Sequence, residues 1–118
     1  MGAAKSSIEQ TLLAYKKGVD NFAKQMPAFT DKYNDFTEAC FQAGELSAKA
    51  KQLIALGISL HAQNEYCIIY HTKGCLDQGC TKQEILEATA VTAAFGGGAS
   101  MSQAAVTLVQ ECIAELTT

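Results

Sequence analysis

Apolar residues recur along the first part of the chain at steps of three and four. Ile8, Leu12, Tyr15, Val19, Phe22 and Met26 form one stripe, with Lys16, Lys17, Asp20 and Lys24 on the opposite side. That period predicts an amphipathic first helix. Pro27 suits the first turn of a second helix, whose stripe is Phe29, Tyr33, Phe36 and Cys40 and whose end is marked by Gly44. Ser47 is placed to cap a third helix. Its main stripe is Leu53, Ile54, Gly57, Leu60 and His61, but Ala50, Ala55, Leu56 and Ile58 make it apolar nearly all round. Such a helix lies at the centre of a subunit or between subunits. Gln63-Asn64 breaks the pattern, and a fourth helix runs from about Glu65 to Gln78, with Gly79 as a left-handed cap.

Thr81-Lys82-Gln83-Glu84 has the form of a capping box and opens a fifth helix, apolar on most sides through Ile85, Leu86, Ala90, Val91, Ala94 and Phe95. Gly96-Gly97-Gly98 punctuates the chain and allows a turn with close helix approach. Met101, Ala105, Leu108, Cys112 and Leu116 stripe a sixth helix. No segment alternates with period two, and there are no repeats or linkers. The expectation is one all-α domain over residues 1–118, a bundle of about six helices that oligomerises to cover its apolar third and fifth helices.

Charge and composition narrow the partners. The net charge is −3, and none of the nine basic residues is arginine. Without that planar fork, bidentate recognition of phosphate or guanine is absent, so no nucleic-acid partner is expected. No run of about 18 apolar residues suggests a membrane span, and the first 26 residues carry Lys and Glu throughout, unlike a signal peptide. Met1-Gly2-Ala3-Ala4-Lys5-Ser6 matches a myristoylation pattern of low specificity, read here as chance. Five cysteines, an odd number, suit a cytoplasmic chain with reduced thiols better than a disulfide framework.

The densest chemistry is Cys67-Ile68-Ile69-Tyr70-His71. Four-residue spacing stacks thiol and imidazole on one helical face, one turn apart. A neighbouring imidazole can take the thiol's proton or stabilise the thiolate, which is the reactive form. Asn64 sits where an N-cap would sit, so Cys67 becomes the third residue of its helix, where the positive end of the helix dipole also favours a thiolate. Cys67 is the candidate nucleophile and His71 its acid or base. Gln52 faces them if the third and fourth helices fold back on each other, and Tyr66 stands beside them as packing or as a hydrogen-bond donor. A buried, inert Cys67 with a structural His71 is the plainer alternative.

The run from about Lys49 to Gly98 resembles the carboxymuconolactone decarboxylase superfamily, in particular its AhpD-like, alkylhydroperoxidase branch. The likeness is carried by Lys51-Gln52-Leu53-Ile54-Ala55-Leu56-Gly57-Ile58-Ser59, by Asn64-Glu65-Tyr66-Cys67-Ile68-Ile69-Tyr70-His71, by the segment 79–85 and by the glycines at 96–98. The AhpD-like pattern has a Glu and, twelve residues later, Cys-x-x-Cys-x-x-x-His. Cys67 and His71 match its second cysteine and its histidine; Asn64 replaces the first cysteine and Gln52 the glutamate. The resemblance implies an all-helical subunit assembling as trimers or hexamers. It also implies a thiol oxidoreductase acting on a hydroperoxide or on a partner's disulfide, with a thiol protein as electron donor. Asn64 cannot form a disulfide and Gln52 cannot take up a proton, so Cys67 would act without the family's paired thiol. A lyase or isomerase working on a small organic acid, and a non-catalytic helical scaffold that has lost the dithiol, are the competing readings.

The remaining cysteines are read more simply. Cys75 and Cys80 fall at the two touching positions of a Schellman cap around Gly79, either as an apolar contact or as a redox pair. Cys67 and Cys75 stand ~12 Å apart along one helix, too far to bridge. The same spread argues against one zinc ion held by His61, Cys67, His71, Cys75 and Cys80, so no metal or other cofactor is expected. Cys40 and Cys112 lie on apolar stripes and are expected in the core.

Overall fold

The computed structural model describes residues 7–102 and 107–117, which form helices only. The myristoylation match at the start of the chain and Ala105 of the last expected stripe lie outside the described residues. In chain order the helices are α1 (Ser7–Gln25), α2 (Pro27–Phe41), α3 (Ala48–Ala62), α4 (Glu65–Asp77), α5 (Lys82–Gly96), the single turn α6 (Gly98–Met101) and α7 (Leu108–Leu116).

Local chemistry sets several of these ends. Ser47 accepts a hydrogen bond from the amide of Ala50 at 3.0 Å and caps α3. Thr81 and Glu84 exchange reciprocal bonds of 3.0 and 2.8 Å, the full capping box of α5. Gly79 takes φ +84°, and around it the amides of Cys80 and Gly79 donate to the carbonyls of Cys75 and Leu76, which is the Schellman closure of α4.

The core lies between α3, α4, α5 and α7. Leu56, Leu60, Ile68, Ile69, Ile85, Val109, Cys75 and Cys112 are fully buried there, with Ile8 and Leu12 of α1 closing one side. Burial of each large aliphatic side chain contributes about 1.5–3 kcal/mol.

The structure corrects three expectations. The last stripe does not form one helix: Thr107, at φ −127° and ψ −87°, leaves helical space and its hydroxyl donates to the carbonyl of Ser102, so α7 starts afresh at Leu108. Cys40 is exposed, unlike Cys112. The stripe of α2 is largely uncovered, with Phe36 65% exposed, because α2 packs chiefly on α1 and, near its end, on α3. Periodicity marks an apolar face without saying what covers it.

Candidate active site

A two-residue corner joins α3 to α4. Gln63 adopts a left-handed conformation at φ 57°, and the amide of Asn64 donates back to the Ser59 carbonyl. This folds α4 back along α3. Asn64 then leaves the helix in an extended conformation, and its side-chain oxygen accepts from the amide of Cys67 at 3.0 Å. Cys67 is the third residue of α4, half-buried, in the capped first turn.

One turn on, His71 is held on three sides. Its Nδ1 donates to Oε1 of Gln52 across the α3–α4 contact at 3.0 Å. Phe41, the last residue of α2, stacks on the ring with centroids 5.6 Å apart, and Tyr70 meets it edge-on at 5.2 Å. Lys51 keeps the end of α2 in place by donating to the carbonyl of Gln42 at 2.5 Å. Because Gln52 occupies Nδ1 as an acceptor, the neutral ring keeps its lone pair on Nε2, the nitrogen free to take a proton. Burial lowers the His71 pKa below its ordinary 6.5, so the ring is neutral near pH 7, the form that can accept a proton.

That depression has a consequence for stability. Above about pH 6.5 the ring is neutral in both folded and unfolded chains. As the pH falls below this value the unfolded chain binds the proton first, so folding stability declines until the folded ring is protonated too. Denaturant midpoints should therefore drop as the pH is lowered through about 6.5 in the wild type, and drop less in His71→Phe. An identical decline in both proteins would show that other groups cause it.

Gly74 makes the Gln52 contact possible. A Cβ at this position would run into the Gln52 amide, meeting its Cδ at 2.6 Å. The side chain from α3 thus passes over a bare patch of α4 to reach His71.

On the other side of Cys67 lies a tyrosine cluster. Tyr66 stacks on Tyr15 of α1 with centroids 5.4 Å apart, and Tyr70 sits 6.2 Å from Tyr15. The Tyr15 hydroxyl pKa is raised, first by burial and then by repulsion from the Cys67 thiolate and two neighbouring phenols. Tyr15 and Tyr66 also border a groove of about 430 Å³ between α1 and α2, lined further by Val19, Phe22, Phe29 and Tyr33 and by no charged side chain.

Gln52, Asn64, Tyr66, Cys67 and His71 are thus gathered around the first two turns of α4. Cys75 and Cys80 meet at its far end. Phe41, Gly74 and Tyr15 were missed in the sequence. Gly74 carried one usable signal, a glycine inside a helix; Phe41 lies off its helix's stripe, and Tyr15 reads as ordinary core. Among the described residues no cluster of three or more His, Cys, Asp or Glu side chains is arranged to hold a metal ion.

The carboxymuconolactone decarboxylase family model matches residues 27–111, most of the chain and all of this site except Tyr15. The chain belongs to the carboxymuconolactone decarboxylase family. Its fold is that of an apo carboxymuconolactone decarboxylase family protein from Legionella pneumophila, with a TM-score of 0.89 and 25% identity over 94% of this chain and 97% of that one. A Thermotoga maritima protein superimposes with a TM-score of 0.73 at 20% identity, covering 92% of this chain and 91% of its own. A second crystal structure of that Thermotoga family member gives 0.64 at 24% identity, covering 76% and 88%, and describes it as a candidate for a part in antioxidative response. Among curated sequences, "uncharacterized protein 4 in cox locus" of Paracoccus denitrificans is 34% identical over 74 residues, which are 63% of this chain and 67% of that one. An uncharacterized Cupriavidus necator protein is 29% identical over 72 residues, 61% of this chain and 64% of its own. The matches span about two thirds of the length of these relatives.

Proposed function

We propose that this chain is a thiol-dependent oxidoreductase in which Cys67 reduces a hydroperoxide or a partner's disulfide and His71 moves the proton. The observation that carries this reading is a half-buried thiol in a capped helical turn, one turn before an imidazole whose Nδ1 is already committed to Gln52. The antioxidative association of the Thermotoga relative supports the same direction.

With a hydroperoxide, the Cys67 thiolate attacks the distal peroxide oxygen. The O–O bond breaks, Cys67 becomes a sulfenic acid, and the departing alkoxide takes the proton that His71 has drawn from the thiol. Asn64 stands where the family pattern has a second cysteine, so no thiol three residues away can condense with that sulfenic acid. An external thiol, free or on a donor protein, forms a mixed disulfide with loss of water, and a second thiol releases Cys67. The uncharged groove beside Tyr15 and Tyr66 suits an uncharged organic substrate better than a small organic acid, for which its lining offers no basic side chain. The decisive measurement is hydroperoxide consumption by purified protein with a dithiol donor; no consumption above the donor's own rate would overturn the reading.

The five free thiols fit a reducing compartment, which we take to be the cytoplasm. A homo-oligomer, trimer or hexamer, belongs to the same reading. α3 and α5 leave Ile54, Ile58, Val91 and Phe95 uncovered along one continuous groove, with Phe95 87% exposed. A face of this kind is uncommon on a free monomer. Sedimentation at micromolar concentration should show an oligomer that Ile58→Asp combined with Phe95→Asp dissociates; a monomeric wild type would contradict it. No described helix is long and apolar enough to cross a membrane.

A further inference from the structure

The far end of α4 carries chemistry that the Cys67 site does not use. Cys75, the third residue from the end of the helix, and Cys80, just past Gly79, are joined through the backbone: the Cys80 amide donates to the Cys75 carbonyl at 2.9 Å. Both thiols are free and buried, Cys75 fully and Cys80 to 6% exposure. A Schellman closure brings the side chains at these two positions together as a matter of geometry. The residue between the two helices that makes this closure possible, Gly79, is held at φ +84°.

We propose that Cys75 and Cys80 form a second redox site, a dithiol that closes reversibly to an intrahelical-cap disulfide under a hydroperoxide. The folded backbone has already brought these two positions together, so forming the bond requires little further loop closure. Cys80 is the entry point. It is 6% exposed where Cys75 is 0%, and the ammonium of Lys49 favours its thiolate while the Glu84 carboxylate, 2.7 Å from that ammonium, opposes it. Cys80 Sγ attacks the distal peroxide oxygen, the O–O bond breaks and an alcohol leaves. Cys75 Sγ then displaces the hydroxyl of the Cys80 sulfenic acid, and its own proton leaves with that hydroxyl as water. Two thiols and one hydroperoxide give one disulfide, one alcohol and one water.

The reaction is slow by construction. Burial pushes Cys75 up to about 12 and, with the Glu84 carboxylate, holds Cys80 above its ordinary value against the pull of the neighbouring Cys75 thiol and of Lys49, so little thiolate is present at neutral pH. The pair therefore responds to sustained oxidant. It cannot resolve Cys67, which lies two helical turns away from Cys75 on the same helix. Its oxidised form ties the end of the site helix to the start of α5.

The test uses the full chain carrying Cys67→Ser and Cys40→Ser, so that the first site and the exposed thiol are silent and failure of the Cys67 reading cannot mask the result. After prolonged exposure to excess hydrogen peroxide, two of the three remaining thiols should be lost to alkylation and should return with dithiothreitol. Cleavage after Lys73 and Lys82 should release the 74–82 segment as one peptide, lighter by two hydrogens than its dithiol form. Adding Cys75→Ser should stop the sequence at a Cys80 sulfenic acid that dimedone traps. Persistence of both thiols, a bond to Cys112 or to another copy, or irreversible sulfinic acid at Cys80 in place of the disulfide would each overturn the proposal.

Discussion

Cys67→Ser is expected to bring hydroperoxide consumption to background and to leave the fold intact. Serine preserves the shape of the side chain and the Asn64 cap, which is made to the backbone amide of residue 67, so stability should move by less than about 0.5 kcal/mol. A hydroxyl has no accessible anion near neutral pH and cannot reduce a peroxide. His71→Phe should retain the nucleophile and lose the proton carrier, with a fall in kcat/KM of roughly 10²–10⁴. Phenylalanine keeps the stack on Phe41, so this loss separates proton transfer from packing. Cys40→Ser serves as the control: Cys40 is exposed, but it lies outside the site and its removal should not change the rate. Full activity in Cys67→Ser would move the chemistry to another residue.

Gly74→Ala should have the second largest effect, large on activity and small on stability. Alanine is favoured over glycine inside a helix by about 1 kcal/mol. Here the new methyl group meets the Gln52 amide, which must swing away and abandon His71. Loss of that hydrogen bond costs about 0.5–1.5 kcal/mol, so the two contributions nearly cancel in the melting temperature. Activity has no such compensation. With Nδ1 released, the imidazole loses both its orientation and its fixed tautomer, and kcat/KM should fall roughly 10–100-fold, as when the partner that orients a functional histidine is removed. A double-mutant cycle decides the point. In a Gln52→Ala background, Gly74→Ala should leave activity where Gln52→Ala has put it and should stabilise the helix by up to about 1 kcal/mol. Independent, additive losses of activity would show that Gly74 acts by some route other than Gln52.

Both predictions mark the boundary between what local sequence specifies and what only packing reveals. The starts of α3, α4 and α5 were legible because Ser47, Asn64 and Thr81 act on amides two or three residues away, and the end of α4 was legible because Gly79 tolerates a left-handed conformation. The placement of Cys67 and His71 one turn apart on α4 followed from helical spacing alone. Gln52 was legible only on the condition that α3 and α4 fold back together, which the Gln63-Asn64 corner brings about. Phe41 was not legible: its place on His71 depends on where α2 ends and on the Lys51 tether from α3, neither of which leaves a periodic signal. Cys40 and Phe36 show the opposite error. Their stripe is real, but a stripe does not name its partner, and α2 leaves much of it open.

The tyrosine cluster gives the molecule an optical reporter. The chain has no tryptophan and only four tyrosines, of which Tyr15, Tyr66 and Tyr70 crowd together beside Cys67. Ultraviolet emission from the unlabelled chain therefore originates mostly from this one cluster, which flanks Cys67 on α4. Fluorescence intensity and lifetime can follow the Cys67 sulfur's ionisation and ligand entry without a dye being attached.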